Sequence, residues 1–291
     1  MLDVLPQILI FGLILGGVYA LASLGLGLAW GIMHVINFAH GEWIMISMYL
    51  THWLTMLFGL DPYLAIPINI AFGGLMGFLS QRHLVEPVLK GGATATILST
   101  LGLSSIMIGV TQALWKSTPR NTPNWYVETA LGIGPVRLSL AHLMAFAMSI
   151  SAITLIYLFF KGALIGKAIL ATSDLIGDPE VAGLVGIDVV RTRTLTLILA
   201  GISTGVAGTL IGTFYYVYPY VGLTWSLICF VIVVLGGLGS FKGLLIAGLI
   251  VGVLEGLGSL ALGAAYGYIL VYAVFLSILY LRPRGLMGRR A

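Results

Sequence analysis

The sequence predicts an all-α fold, a polytopic membrane bundle of about eight or nine transmembrane helices. Three observations predict it. Of the 291 residues, 59% are apolar and only 8% are charged, where an ordinary soluble domain carries about 25% charged residues. The mean hydropathy is +1.07. The charges also gather in a few short clusters, separated by apolar runs close to bilayer length. A chain in hydrocarbon must satisfy its backbone internally, and helices do this within one segment. At about 20 residues per crossing, the spans consume nearly all of residues 1–291 as a single transmembrane domain. No room remains for a catalytic or nucleotide-binding module, and the net charge of +4 sits in loops and tail, not in a nucleic-acid patch.

The elements follow in order. Pro6 to Trp30 is the first apolar stretch, and Asp3 with no basic residue before it marks an uncleaved span instead of a signal peptide. Trp43 to Phe58 is the second, Asp61-Pro62 a turn, and a third span runs to Leu79. The insert Gln81 to Gly92 breaks the hydropathy before Thr94 to Trp115. Lys116 to Arg137 reads as a loop whose Trp125-Tyr126 pair suits a membrane–water interface. Leu138 to Phe160 is the fifth span, and the remainder are Thr194 to Phe214, Leu223 to Leu235, Leu244 to Leu262 and Tyr266 to Leu281. Cys229, the single cysteine, lies within an apolar run and is expected to pack as a small hydrophobe.

Basic residues set the orientation. They cluster in the Arg82–Lys90 insert, in the Lys161–Arg193 segment and in the tail from Arg282 to Arg290. Even numbers of spans separate these three, so all face the cytoplasm together and the N-terminus and the Lys116–Arg137 loop face outside.

Thirty-nine glycines are the second signal. The pairs Gly12/Gly16, Gly27/Gly31, Gly73/Gly77, Gly201/Gly205, Gly208/Gly212, Gly248/Gly252 and Gly252/Gly256 are spaced four apart, which lets helix backbones approach closely in lipid. Their first role is packing; the sharper expectation is that some permit helix shifts.

Chemistry concentrates in three places. His34, Asn37, His40 and Glu42 fall between two apolar runs, either as a broken helix lining a substrate path or as a polar cytoplasmic turn. A metal site from His34, His40 and Glu42 finds no further ligands in the sequence. Glu255 interrupts an apolar span, where an acid at mid-bilayer costs about 2.5–3.5 kcal/mol, so it must face protein, water or a cation. Lys242 is expected to snorkel to the headgroups. Two catalytic look-alikes fail. Gly201-Ile202-Ser203-Thr204-Gly205 matches a nucleophile-elbow pattern but lacks the strand–turn–helix setting, and Gly162 to Lys167 lacks the spacing and hydroxyl of a phosphate loop.

The run Asn37-Phe38-Ala39-His40-Gly41-Glu42, preceded by Tyr19-Ala20-Leu21, resembles the signature of permeases in branched-chain amino-acid ABC importers. Leu235-Gly236-Gly237-Leu238-Gly239-Ser240 and Arg282-Pro283-Arg284-Gly285-Leu286-Met287-Gly288 resemble that family's turn and ending. The resemblance covers essentially the whole chain and fits the shorter, LivH-like permease type. It implies an import subunit that hydrolyses no ATP itself, with a translocation pathway involving Asn37, Phe38, His40, Gly41, Glu42 and Glu255. It also implies an ATPase-coupling segment within 161–193, carried by Asp178, Glu180, Ala182, Gly186, Ile187 and Asp188. A short amphipathic helix there would enter a groove on the ATPase, with Ala182 and Gly186 allowing close contact while the acids stay solvated. Lys167, where Arg is usual, and the longer approach Asp174-Leu175-Ile176-Gly177 depart from the pattern. The implied partners are a second LivM-like permease, two cytoplasmic ATPases holding ATP and Mg, and a periplasmic or extracellular solute-binding protein. The location is the cytoplasmic (inner) membrane of a bacterium or archaeon. Related permeases for urea, short amides or other small solutes share these motifs, and a stand-alone channel would need no coupling helix.

Overall fold

The computed structural model describes residues 5–133, 136–173, 178–263, 266–282 and 284–287. The expectations on Asp3, on Asp174 to Gly177, on Pro283 and on Gly288 to Arg290 lie outside the described residues. Eleven α-helices run through the described chain: α1 (Leu5–Met33), α2 (His40–Phe58), α3 (Ile66–Ser80), α4 (Gly92–Trp115), α5 (Leu140–Gly162), α6 (Leu164–Ala171), α7 (Pro179–Leu184), α8 (Val189–Gly212), α9 (Val221–Gly236), α10 (Phe241–Leu262) and α11 (Gly267–Leu281). A hairpin of β1 (Ala130–Ile133) and β2 (Val136–Ser139) precedes α5. Five helical stretches are long and apolar enough to cross a bilayer, among them Pro62–Trp115, which holds both α3 and α4, with Gly92 at φ 77° where α4 begins; α9 and α11 are shorter apolar helices.

Two helices form the centre. Buried residues line nearly the whole length of α1 and of the outer two-thirds of α8, because apolar residues surround both instead of forming a stripe. Around them α3, α4, α5 and α11 turn large apolar side chains outward, such as Leu75, Ile106, Leu155 and Leu276. The inward face of α4 is instead a ladder of Thr96, Thr100, Ser104 and Thr111. Thr111 donates to a carbonyl one turn earlier, which satisfies it without a partner helix.

The glycine pairs act as expected at two seams. On α1, Gly12 and Gly16 face Gly252 and Gly248 of α10, and on α3, Gly73 faces Gly201 of α8; an added Cβ on any of these would meet opposing backbone. Such contact replaces the missing hydrophobic driving force between helices in lipid.

The structure departs from the sequence reading at the outer surface. The region read as loop closes with the β1–β2 hairpin, in register Leu131 to Leu138, and Leu138 belongs to β2, with α5 starting at Leu140. Val136 and Leu138 are buried while Arg137 is exposed, a period-two pattern that the adjoining apolar helix concealed. The Gln7 side chain pairs with both backbone groups of Arg137 and ties the hairpin to α1.

Candidate translocation and coupling sites

At the base of α1, His34 takes a left-handed conformation with φ 51°, which stops the helix. The chain then returns along α1 until His40 Nε2 lies 2.7 Å from the Ala22 carbonyl oxygen. At 1.5 Å per helical residue, Ala22 stands about 16 Å above Met33. The segment is therefore re-entrant, and α2 begins three residues before the apolar run at Trp43, inside the bundle instead of at its surface.

Irregular backbone at such depth persists only when protein satisfies it. Asn37 Oδ1 accepts the Ala39 N–H at 3.0 Å and shapes the turn. Thr100 of α4 donates to the Ile36 carbonyl, Ser226 of α9 donates to the Phe38 carbonyl, and Gly41 N–H donates to Ser226 Oγ at 3.0 Å. A carbonyl only accepts, so the His40 ring carries its proton on Nε2. At Gly41 any Cβ would run into the Gly222 carbonyl and Ser226, so the first turns of α2 and α9 touch there. Glu42 follows, completely buried in the first turn of α2 with its carboxylate toward Ser104, and neither oxygen reaches a hydrogen bond of ordinary geometry. The helix N-terminus is the one favourable field available to it.

Glu255 sits in a different setting, in the outer half of α10. Tyr19 donates to its Oε2 at 2.6 Å, and Tyr268 and Tyr215 lie close to the carboxylate and to Tyr19. This cluster borders a cavity of about 570 Å³ lined by Phe11, Leu15, Tyr215, Glu255 and Ser259 among others. A second cavity of about 560 Å³ under the outer loop shares Tyr215 with it. Trp225 packs edge-on against both Tyr19 and Tyr215. Below, toward the basic end, a cavity bounded by Gly27, Gly31 and Leu244 holds only about 30 Å³, about one water. The two large cavities thus lie toward the outer end and the small one toward the inner.

At the inner surface, α7 is short and capped at both ends. Asp178 accepts the Glu180 and Val181 N–H groups as its N-cap, and Gly186, at φ 87°, ends it so that Ile187 N–H reaches the Ala182 carbonyl. Asp188 in turn caps α8 through Arg191 N–H. Glu180, Asp178 and Asp188 are solvated as expected, whereas Ala182 is buried against its own bundle and is not available to a partner. The exposed apolar surface comes from Val181, Leu184 and Val185 instead. The segment is anchored inward: Ser173 donates to the Gly31 carbonyl of α1 at 2.8 Å, and Thr172 meets Thr192 of α8.

Two of the sequence motifs prove to be one structure. Leu286 and Met287 N–H groups donate to the Leu235 and Gly236 carbonyls at the end of α9, so the ending caps the glycine turn. Gly285, at φ 75°, lies against Val234 and Gly237 where no side chain would fit.

The model for the permease component of branched-chain amino acid transport systems matches residues 8–279. The chain belongs to that family. The permease is 29% identical to the high-affinity branched-chain amino acid transport system permease protein LivH of Salmonella typhimurium, over 96% of this chain and 94% of that one. It is also 29% identical to the probable branched-chain amino acid transport permease protein LivH of Methanocaldococcus jannaschii, over 95% and 90%. PsaBC from Streptococcus pneumoniae in complex with Fab aligns with a TM-score of 0.48 at 16% identity, covering 97% of this chain and 95% of that chain.

Among the residues expected in the permease's pathway, Asn37, Phe38, His40, Gly41 and Glu42 come together at the re-entrant turn, while Glu255 belongs to the separate outer cavity. His34 is exposed at the base and does not join His40, and no cluster of three metal-binding side chains occurs among the described residues. Ser203 donates to the Ala200 carbonyl of its own helix. Sequence reasoning missed Tyr215 and Tyr268 as the partners of Glu255, and took Tyr19 only as part of a lead-in. The available signal was that a phenol within an apolar span needs a polar partner for its hydroxyl.

Proposed function

We propose that this chain is the transmembrane permease subunit of an ATP-driven importer for branched-chain amino acids in the cytoplasmic membrane of a bacterium or archaeon. Residues 1–291 act as one permease domain, and 161–193 is its cytoplasmic coupling segment. Hydrolysis takes place in two partner ATPases, which hold ATP and Mg; a solute-binding protein delivers the amino acid, and a second, LivM-like permease completes the pair.

The observation that carries this reading is the coupling segment: the exposed apolar trio Val181, Leu184 and Val185 stands on a capped helix whose approach is tied to α1 and α8, the two central helices. An apolar patch rimmed by Asp178, Glu180 and Asp188 is a protein contact surface and has no use in a stand-alone channel. A push at α7 travels through Ser173 to the base of α1, beside the re-entrant turn. Shifting α1 there opens the inner end and closes the outer cavities, which gives alternating access. The apolar walls of the outer cavity suit an aliphatic side chain. Asn37, His40, Gly41 and Glu42 brace the moving turn.

The test is uptake of radiolabelled leucine into vesicles carrying the complete complex, with and without ATP, beside urea and beside Glu180→Lys. ATP-dependent leucine uptake that fails in the variant supports the reading. Urea uptake in place of leucine would keep the architecture and replace the substrate; uptake indifferent to ATP would overturn the importer.

A further inference from the structure

Glu255 is an intramembrane carboxylate whose neighbours do not neutralise it. Tyr19 hydrogen-bonds it, Tyr268 lies close by, and no Lys or Arg of the described residues forms an ion pair with it. Phenols satisfy at most part of a carboxylate's four lone-pair directions. An acid placed within a bundle marks a pathway or a partner, because its cost in hydrocarbon is offset only by a function or by a counter-charge. Here no counter-charge is found among the described residues, and the group borders a cavity of about 570 Å³, within the size range of small-ligand sites.

The walls describe the ligand. Glu255 and Tyr215 line the cavity, Tyr19 donates to the carboxylate and Tyr268 lies close behind, and phenol oxygens and ring faces attract a cation. Phe11 and Leu15 give an apolar wall across from them, and Gly252 and Gly256 keep α10 thin beside the space. The combination is an acceptor-rich, aromatic cup with an aliphatic flank. It matches a primary ammonium carrying a short branched hydrocarbon.

We propose that Glu255, with Tyr19, Tyr215 and Tyr268, is a low-affinity site that receives the ammonium group of the solute after its delivery to the outer end of the permease. The proposal rests on the importer reading only for the identity of the solute as an amino acid. Glu255 thereby makes the permease itself selective for an amine.

The test is saturation-transfer NMR on the permease–ATPase complex in nanodiscs, without the solute-binding protein. The probes are leucine, isoamylamine (the amine without the carboxylate) and 4-methylpentanoate (the carboxylate without the amine). Leucine and isoamylamine are expected to give signal, at least ten-fold weaker in Glu255→Gln and partly restored in Glu255→Asp, and 4-methylpentanoate none. Tyr268→Phe keeps the test open if Glu255→Gln does not assemble, and is expected to weaken both amines several-fold. Undiminished leucine binding in Glu255→Gln or in Tyr268→Phe, or equal signal from 4-methylpentanoate, would overturn the proposal. The importer reading fails separately. Glu255-dependent amine binding without ATP-driven leucine uptake removes the importer and leaves the site, whereas normal uptake with binding indifferent to Glu255 does the reverse.

Discussion

Glu42 and Glu255 are both carboxylates set among apolar helices, yet their surroundings have opposite structure. Glu42 is completely buried at the meeting of α2 and α9, with neither oxygen hydrogen-bonded, and the neighbouring Gly41 admits no Cβ. Glu255 has a hydrogen bond from Tyr19 and borders a cavity. The first region is built by close backbone contact around an irregular turn; the second is built by side chains around a space. A charge in the first belongs to the architecture of the re-entrant segment, and a charge in the second is presented to something that arrives.

The largest expected effect breaks the packed region. Gly41→Val drives a side chain into the Gly222 carbonyl and Ser226 and is expected to destabilise the permease by about 3 kcal/mol, seen as a collapse of monodisperse yield and of the melting midpoint in detergent. Glu42→Gln comes next and runs the other way. Removing a buried charge that lacks partners should stabilise the permease by about 2 kcal/mol, a higher midpoint in the same melt, with leucine uptake kept within about two-fold. A fall in both would mean that the carboxylate has a partner in the working cycle. Tyr19→Phe deletes the hydrogen bond to Glu255 and should cost about 1.5 kcal/mol, detectable by melt, without loss of assembly. The smallest effect is Gly256→Ala. Its Cβ meets the Cγ2 methyl of Ile8, which must give by a small amount, and the gain in helix propensity offsets the contact, so a shift below about 1 kcal/mol is expected. A Gly256→Ala variant as damaged as Gly41→Val would erase the contrast between the regions.

How far the sequence shows this depends on the kind of signal. The apolar runs locate the helices because the bilayer demands length and hydropathy together. The i, i+4 glycines appear as pairs because one helix face must be smooth along two turns, and Gly12/Gly16 and Gly73/Gly77 meet their partners for that reason. What sequence leaves open is depth and partnership. The polarity of His34 to Glu42 is equally consistent with a surface turn, and only the His40–Ala22 contact puts it inside. Glu255 is conspicuous, but Tyr19, Tyr215 and Tyr268 come from three separate parts of the chain. Ala182 was read as a contact to a partner; its burial follows from the turn of α7 toward the bundle, which the spacing alone does not reveal. At the outer rim, Tyr126 donates to Asp61 at 2.6 Å, and this bond raises the phenol above its ordinary value. The bridge therefore stands at neutral pH and is lost only as pH rises through that raised value, a link between loop and turn that hydropathy does not register.

The contrast between the two acids is tested most directly by thiol labelling from outside. Cys229 is buried and is the only cysteine, so Cys229→Ala gives a silent background in which Glu255→Cys and Glu42→Cys are placed one at a time. The complex in sealed right-side-out vesicles, without ATP, is treated with a membrane-impermeant maleimide. Rapid labelling at position 255, with none at position 42, is the predicted result. Equal labelling of both positions, or of neither, would contradict an outward-facing amine site standing above a sealed re-entrant turn.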